Sequence, residues 1–402
     1  MFGSTDAASK YSLTEQLMEG SALCHLDLGS GYPVFPLSEA LVNLVIEGSR
    51  IALQASERFS KTERLLQLQE SVGNLLHIPV SLRGKIRPTF SGAVALERVF
   101  VAIEEIARSS GNQGLTAIVT EPSIDLSRLL LSERSDIKIV AVPRIESFEE
   151  TLVDRLITTL EFEARLSPHR KLLVLLDSPS NPLGLVLDKN SLDGLSTACG
   201  CVGATLIVDH CFLLAGVQSP KMLPNLFRID GSVCDWIGVW DTGKTIDMGG
   251  DKLGFVIPGN LRMSSAVDKS LSVIQSGPSK RAIEIFSRLL RAPALIDYLN
   301  EAGRICRVNL NQLQAGIPST MYVPSPRAGT FGCVHVPNFT EGSDALRSAW
   351  MNAGVSVISG RTFFDSFQEG TPFLRVSLLR DPVFFKSAID LSRRWSDRPP
   401  CL

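Results

Sequence analysis

The stretch Trp236-Ile-Gly-Val-Trp-Asp-Thr-Gly-Lys244 decides the fold of this chain, because an apolar run leads directly into a polar loop that carries a lysine. A second apolar run, Leu253-Gly-Phe-Val-Ile257, follows the loop after a glycine-rich segment. Short apolar runs bounded by glycine and polar residues are typical of buried strands. Lys244 can therefore present its amine to a pocket at the end of a buried sheet.

Two earlier apolar runs also end in polar residues. Lys171-Leu-Leu-Val-Leu-Leu-Asp177 is followed by Asn181-Pro-Leu-Gly184, and Ala204-Thr-Leu-Ile-Val208 is followed by Asp209. Together with Lys244, they place an amide, a carboxylate and a lysine at successive strand ends. This set of groups suits a pyridinium-aldehyde cofactor held as a Schiff base.

Each of the three residues alone has an ordinary structural alternative. Asn181 can initiate an Asn-Pro turn, and Asp209 can cap the helix that follows its strand. Lys244 can be a solvated loop residue. The chemical interpretation therefore depends on the three residues taken together.

The composition is that of an ordinary globular protein and excludes several classes. The chain has 402 residues, of which 44% are hydrophobic and 20% charged, with a net charge of −2. This balance lacks the basic field of a protein that binds nucleic acid or anionic membranes. We find no apolar stretch as long as a bilayer span and no signal-peptide core at the N-terminus. The eight cysteines lack zinc-binding spacing, so we expect reduced thiols, no metal and a cytoplasmic location.

The order of the apolar runs predicts an α/β fold. Helical patterns separate many of six β-rich runs between residues 116 and 257, which implies a mostly parallel sheet covered on both faces. The last run follows the tight lysine loop without a crossover helix, so we expect it to be antiparallel. We divide the chain into an N-terminal arm (1–36), a large domain (37–285) and a small α+β domain (286–402).

The order and spacing of Asn181, Asp209 and Lys244 resemble those of the fold-type I pyridoxal-phosphate enzymes, specifically the class I/II aminotransferase family, with this chain as a divergent member. That family carries an Asn-Pro-x-Gly turn, an aspartate at a strand end and a lysine loop at nearly these separations. The resemblance spans most of the chain and implies an aspartate aminotransferase-like fold, with a seven-stranded-type sheet in a large cofactor-binding domain. The implied cofactor is pyridoxal 5′-phosphate (PLP).

The resemblance also implies a role for individual residues. Lys244 would be the catalytic residue that forms an imine with the cofactor and acts as general base, and Asp209 would pair with the ring nitrogen. Asn181 would donate its amide to the phenolic oxygen of the ring. Ser91, Gly92 and Ala93, at the start of a predicted helix, match the family's phosphate loop, and Lys252 stands at the position of a phosphate-binding arginine.

Substrate contacts are implied at three places. Arg375, within Phe373-Leu-Arg-Val-Ser-Leu378, matches the arginine that forks onto the substrate α-carboxylate, and a surface strand arginine is the structural alternative. Gly31 and Tyr32 resemble the N-terminal loop that closes over the substrate. Asn181 is expected to contact the substrate as well as the cofactor.

Four positions depart from the family pattern. Phe212 replaces a tyrosine that bonds the phenolic oxygen, and Ile124 replaces an aromatic residue that stacks on the ring. Asp241 stands where the lysine loop usually carries a hydroxyl, and His210 replaces a common acidic residue. A carboxylate at 241 would raise the pKa of a nearby lysine amine. These departures fit either a cofactor tuned away from transamination or drift within a conventional transaminase.

We expect a PLP-dependent enzyme that transforms an α-amino acid and is aminotransferase-like. A divergent lyase, cyclase, carbon–carbon bond-forming enzyme or oxidase of specialised metabolism is the first alternative. A non-catalytic PLP-binding regulator is the second. The resemblance further implies a homodimer whose N-terminal arm crosses the interface, with no nucleic acid, membrane or metal partner. The sequence does not identify the substrate.

Overall fold

The structure is a computed structural model that describes residues 12–54, 61–144, 149–214, 216–218, 223–274, 277–337, 339–365 and 370–396. Residues 1–11 of the predicted arm and residues 397–402 of the predicted small domain lie outside these ranges.

Helices and strands alternate along most of the described chain, as the sequence predicts. The strands are β1 Leu26–Asp27, β2 Arg87–Thr89, β3 Leu115–Glu121, β4 Ile137–Pro143, β5 Lys171–Asp177, β6 Thr205–Asp209, β7 Asp235–Asp241, β8 Gly254–Pro258, β9 Phe331–His335, β10 Val355–Ser356, β11 Ile358–Ser359 and β12 Phe373–Ser377. The helices are α1 Leu13–Leu23, α2 Glu39–Gln54, α3 Lys61–Leu75, α4 Val80–Arg83, α5 Gly92–Ser109, α6 Asp125–Ser132, α7 Glu149–Leu166, α8 Lys189–Val202, α9 Leu261–Ser272, α10 Lys280–Leu289, α11 Pro293–Gly316, α12 Gly342–Asn352 and α13 Pro382–Ser396.

The largest sheet has seven strands in the order β2-β8-β7-β6-β5-β3-β4. Strands β3 to β7 run parallel, whereas β8 is antiparallel to β7 and β2 is antiparallel to β8. The predicted α/β class, the mostly parallel seven-stranded sheet and the antiparallel last strand are confirmed. The carboxyl ends of β5, β6 and β7 lie side by side, so the polar residues that end these strands meet at one edge.

Successive residues of the central strands belong to two separate hydrophobic cores. Leu173 of β5 packs in the core that contains α5 and α9, whereas its neighbour Val174 packs with α7 and α8 on the opposite face. Ile207 and Leu206 of β6 divide between the two cores in the same way. All four side chains are fully buried. A strand with two buried faces reads as a continuous apolar run, which explains why these segments stand out in the sequence.

A third core packs α11, α12 and α13 against a three-stranded antiparallel sheet in the order β11-β12-β9. The segment Val355–Ser359 divides between two sheets, because the chain changes sheets at the buried Val357. Val355–Ser356 pairs in parallel with Leu26–Asp27, and Ile358–Ser359 pairs with β12. The arm therefore adds a strand to the C-terminal region. The domain limits at residues 36 and 285 stay predictions.

Within the described ranges, no helix combines the length and apolarity needed to cross a bilayer. The cysteines in these ranges are free thiols. Burial raises the thiol pKa of Cys199, Cys211 and Cys306, so these residues are protonated and poorly reactive at neutral pH.

Candidate active site

A pocket lies at the carboxyl ends of β5, β6 and β7, beside the first turn of α5. Such an edge is where parallel α/β sheets bind ligands, because the polar ends of several strands converge there. Tyr32 and all the residues expected to contact the cofactor line this pocket: Ser91, Gly92, Ala93, Ile124, Asn181, Asp209, Phe212, Asp241, Lys244 and Lys252. Gly31 and Arg375 are not among the lining residues. Arg375 contacts the lining residue Asn181, and Gly31 contacts Phe331, which packs against the lining residue Phe212. The roles of these residues stay predictions.

Lys244 lies in a short 3-10 turn, Thr242–Lys244, directly after β7. Thr242 fixes this turn to the start of the β8 segment, since its amide donates to Leu253 O (2.9 Å) and its Oγ1 accepts from Leu253 N (2.9 Å). Lys244 Nζ lies 3.7 Å from the centroid of the Tyr32 ring. Among the described residues the amine has neither a hydrogen-bond acceptor nor a carboxylate partner. It is therefore available to a ligand that carries a carbonyl group.

Asp209 ends β6 and faces the same pocket. Its Oδ1 accepts a hydrogen bond from Cys211 N (2.8 Å), and no lysine or arginine in the described chain forms an ion pair with it. Burial raises the pKa of the Asp209 carboxyl to about 6, although the bonds from Cys211 oppose this rise. A cationic ring nitrogen in the pocket would supply the charge partner that this carboxylate lacks.

His210, whose role the sequence leaves open, is fully buried and has a structural role. Its Nδ1 lies 2.6 Å from Ser178 O, and its Nε2 accepts a hydrogen bond from Leu226 N (3.1 Å). Because a carbonyl oxygen only accepts, Nδ1 must carry the proton, and the ring is neutral. Burial lowers the pKa of His210 to about 4, which agrees with this assignment. His210 therefore holds the loop after Asp209 in place and does not face the pocket as a base.

Asn181 follows β5 and is positioned by a buried ion pair. Its backbone N donates to Asp177 Oδ2 (2.7 Å), and the other Asp177 oxygen accepts from Arg144 Nη2 (2.5 Å). All three residues are buried. Two buried charges would be costly here unless paired, and the pairing also fixes the Asn181 turn. Sequence reasoning identified Asn181 but not the Arg144 and Asp177 pair that supports it.

Arg375 lies on β12, the central strand of the small sheet, and is fully buried. Its Nη1 donates to Asn181 Oδ1 (3.0 Å), its Nη2 donates to Gly29 O (2.7 Å), and its guanidinium lies 4.3 Å from the centroid of the Phe331 ring. Burial lowers the pKa of Arg375 to about 10. In the described ranges no carboxylate is paired with this buried cation. The surface alternative for Arg375 is thus wrong, and the guanidinium can accept an anionic ligand.

The loop that carries Tyr32 is held mainly by Arg380, a residue that the sequence did not single out. The Asp27 carboxylate accepts from Gly29 N (2.8 Å) and Ser30 N (3.2 Å), which forms a tight turn. Arg380 donates to the carbonyl oxygens of Asp27 (2.9 Å), Ser30 (2.8 Å) and Tyr32 (3.2 Å). These bonds place the Tyr32 ring over Lys244. Arg380 also donates to Ser377 Oγ (3.1 Å), and its Nη2 lies 3.7 Å from Asp27 Oδ2. Because most of its hydrogen bonds go to backbone carbonyls, no motif of side-chain types could reveal it.

The first turn of α5 is occupied by a carboxylate from another part of the chain. Gly92 N donates to Asp241 Oδ2 (2.6 Å), and Gly243 N donates to Asp241 Oδ1 (2.5 Å). Lys252 Nζ donates to Tyr32 Oη (2.6 Å). The sequence predicted that the Asp241 carboxylate lies beside the Lys244 amine. In the structure, both Asp241 oxygens accept hydrogen bonds from backbone amides instead. Asp241 thus forms no ion pair with Lys244 in the described structure.

Phe212 and Ile124 form apolar walls of the pocket. The Phe212 ring packs edge-on against Phe331, with ring centroids 5.1 Å apart. Gly31 also contacts Phe331, because a Cβ at position 31 would lie 3.0 Å from Phe331 Cζ. Neither wall residue carries a hydroxyl. A cofactor oxygen on this side would therefore receive no hydrogen bond from position 212.

The two ends of the pocket fit a PLP-type cofactor to different degrees. The ring end, which we define as Asn181, Asp209, Phe212 and Lys244, offers a free amine, a carboxylate without a cation and an apolar wall. The cup, which we define as Ser91–Ala93, Asp241 and Lys252, offers a helix N-terminus and a lysine, as a phosphate requires. It also contains the Asp241 carboxylate. The ring end fits the cofactor, and the cup fits its phosphate less well.

No protein-family model matches the sequence, and no curated protein matches it in sequence. Solved structures match over nearly the whole chain. The alignment with aspartate aminotransferase from Thermus thermophilus, in a structure with maleate, covers 98% of this chain and 100% of that chain, at 18% identity and a TM-score of 0.74. An aminotransferase from Mycobacterium tuberculosis aligns over 99% and 100%, at 16% identity and 0.78. MppP, soaked with the product 2-ketoarginine, aligns over 92% and 99%, at 17% identity and 0.72.

These alignments span both the seven-stranded sheet and the C-terminal region, so the likeness concerns the whole architecture. The resemblance read from the spacing of Asn181, Asp209 and Lys244 is confirmed at the level of the fold. The chain has the aspartate aminotransferase-like fold of these solved structures, at sequence identities of 16% to 18%.

Proposed function

We propose that the protein is a PLP-dependent enzyme that transforms an α-amino acid by an aminotransferase-like reaction. One observation carries this proposal: three complementary groups converge on one site, and no described residue neutralises them. They are the Lys244 amine, the Asp209 carboxylate and the buried Arg375 guanidinium. When bound, the cofactor supplies an aldehyde and an electron-withdrawing ring that stabilises the charge left when the substrate Cα–H bond breaks.

Each side chain has a separate task in this proposal. The Arg375 guanidinium binds the substrate carboxylate, and Asn181, its hydrogen-bond partner, lies next to that carboxylate. This contact directs the Cα–H bond towards Lys244. Lys244 Nζ, once the substrate amine has displaced it, removes the Cα proton as a general base. Asp209 keeps the ring nitrogen protonated, and the Tyr32 ring limits access of water to the Lys244 amine.

The step that follows proton removal decides between the proposed reaction and its alternatives. If Lys244 Nζ delivered this proton to the cofactor and not to the substrate, the reaction would be a transamination. Loss of a group from Cβ or Cγ gives elimination, replacement or ring formation, and reaction with oxygen gives oxidation. Phe212 leaves these alternatives open, because the phenolic oxygen would receive no hydrogen bond from position 212. Turnover that requires a 2-oxo acid would support transamination, and turnover without one would support a lyase, cyclase or oxidase.

The covalent bond to Lys244 is the first point to test. Protein incubated with PLP and then reduced with borohydride should carry the cofactor on the peptide that contains Lys244, as measured by mass spectrometry. Lys244→Ala should abolish this label completely, because no other described lysine except Lys252 lines the pocket. Lys252→Ala is the matched control and should keep the label. A label that survives in Lys244→Ala would refute the assignment.

A regulator that binds PLP without turnover is distinguished by its response to amino acids. The reduced-label experiment alone would not separate it from an enzyme. A panel of α-amino acids should change the absorbance of the bound cofactor if the protein is an enzyme, because the substrate amine displaces Lys244. Spectral silence with every amino acid would favour the regulator.

We further propose a cytoplasmic homodimer. Helix α2 supports this, since Val42, Ile46 and Leu53 are exposed apolar residues at helical spacing. Scattered apolar residues are common on monomers, but these three share one helix. Sedimentation of the cofactor-loaded protein should give twice the monomer mass. A monomer with full cofactor occupancy would contradict the proposal.

A further inference from the structure

We propose that Asp241 is a specificity-determining residue. Its carboxylate occupies the phosphate seat, which we define as the part of the cup beside the Gly92 and Gly243 amides, so that the pocket accepts unphosphorylated pyridoxal at least as well as PLP. This inference rests on the proposed function and concerns which form of the vitamin the ring end receives. Its basis is the pair of hydrogen bonds that Gly92 N and Gly243 N donate to the two Asp241 oxygens.

The charges in the cup leave little attraction for a phosphate. An anion at a helix N-terminus is stabilised by unpaired amides, and the Gly92 amide at the start of α5 already bonds a carboxylate. Lys252 is the only cation besides Lys244 among the described lining residues, and one lysine charge is offset by one aspartate charge. A phosphate dianion beside Asp241 would bring like charges together with low exposure to water. A neutral hydroxymethyl group would meet no such repulsion.

The backbone around Asp241 is fixed, so the carboxylate cannot leave the cup by a loop movement alone. Asp241 is paired with Gly254 in the β7–β8 ladder, and Thr242 is bonded twice to Leu253. Asp241 itself is 5% exposed. Only rotation of its side chain would free the seat, and that rotation would break both short, charge-assisted bonds to the amides. Phosphate binding therefore competes with bonds that the protein already makes.

The test compares two vitamers in three proteins. Dissociation constants for PLP and for pyridoxal are measured from the absorbance of the lysine-bound form in wild type, Asp241→Asn and Asp241→Ser. The ratio of the two constants within one protein cancels differences between the free vitamers. We expect both variants to shift this ratio towards PLP by at least about tenfold, since the repelling charge is gone. Asp235→Asn removes the same charge about 20 Å away on β7 and should leave the ratio unchanged.

Wild-type protein gives a second measurement that needs no variant. Inorganic phosphate should leave the thermal midpoint and the pyridoxal dissociation constant unchanged, because its seat is filled by Asp241. An increase in the midpoint with millimolar phosphate, or an unchanged vitamer ratio in both Asp241 variants, would overturn the inference. Absence of a borohydride-stable bond with either vitamer would overturn the proposed function itself. The two failures are thus distinguishable.

Discussion

Asp209 and Asp241 end neighbouring strands of the same sheet and face the same pocket, yet their surroundings differ. Asp209 has one oxygen bonded to a backbone amide, and burial raises the pKa of its carboxyl to about 6. Asp241 has both oxygens bonded to backbone amides. The first carboxylate still needs a cationic partner, whereas the second already has its donors. A buried acid thus marks a ligand site only when the protein leaves it incompletely satisfied.

This contrast separates the two ends of the pocket by function. The ring end keeps unsatisfied groups that a ligand can satisfy, and Arg375 extends it with a buried cation. In the cup, the Gly92 and Gly243 amides already donate to the Asp241 carboxylate. The same pocket therefore combines a ring end whose charged groups can bind a ligand with a cup whose amides already bond the Asp241 carboxylate.

Arg375→Met should produce the largest change, because it removes the buried cation of the small sheet that contacts Asn181 at the ring end. We expect kcat/KM for amino acids to fall on the order of 10³-fold, with a smaller change in kcat, since a buried charge pair contributes mainly to binding. Steady-state kinetics measures this. Amines without a carboxylate should be used as the control and should be affected little. An equal loss for both substrate classes would indicate a general structural defect.

Asp209→Asn should stabilise the cofactor-free protein at neutral pH. The folded carboxyl has a pKa of about 6, above its ordinary value of 3.8, so the folded state binds the proton more tightly. The free energy of unfolding of wild type should therefore fall as pH rises from about 4 to about 6, by about 3 kcal/mol at about 1.4 kcal/mol per pH unit. Denaturant unfolding at several pH values measures this. Asp209→Asn should lack this dependence, and an identical pH profile would refute the assignment.

Asp241→Asn should have the opposite effect on stability. Hydrogen bonds to a charged acceptor are stronger than neutral ones, and the amide side chain can accept through one oxygen only. We expect the free energy of unfolding to decrease by about 2 kcal/mol at neutral pH. The same denaturant experiment applies, with Asp235→Asn as the matched control. Stabilisation by Asp241→Asn would remove the contrast between the two acids.

Tyr32→Phe should have the smallest effect. It removes the bond from Lys252 Nζ to Tyr32 Oη but keeps the ring beside the Lys244 amine. The bond lies at an exposed position, so we expect a change of about 1 kcal/mol or less in the binding free energy of either vitamer. Tyr32→Leu removes the ring as well and should change the rate of reaction at Lys244 more than Tyr32→Phe does. Equal rates in the two variants would show that the ring has no role.

The large sheet could be predicted because burial on both faces makes its strands apolar throughout, as in Lys171–Asp177. Strand Arg87–Thr89 could not, since it has three residues, one of them a proline, and its strand character comes from pairing with the distant β8. Helix Lys61–Leu75 was also missed, because only a narrow stripe that includes Leu68 and Val72 enters the core. Periodicity within a segment does not report partners that lie far along the chain.

The site was predictable to the extent that it depends on residues at strand ends. Asn181, Asp209 and Lys244 could be identified because each follows an apolar run. The contact between Asp241 and Gly92 joins residues 149 positions apart, and nothing in the local sequence of either indicates the other. Arg380 was missed for a related reason, because most of its partners are carbonyl oxygens that every residue possesses.

Gly254 determines how this cup could be redesigned. A Cβ at position 254 would lie 2.2 Å from the carbonyl carbon of Ser91 and 2.6 Å from Gly92 N, so any larger residue would push the start of α5 away from the sheet. An engineer who wishes to convert the protein into a tight PLP binder should therefore leave 254 unchanged and substitute position 241 alone.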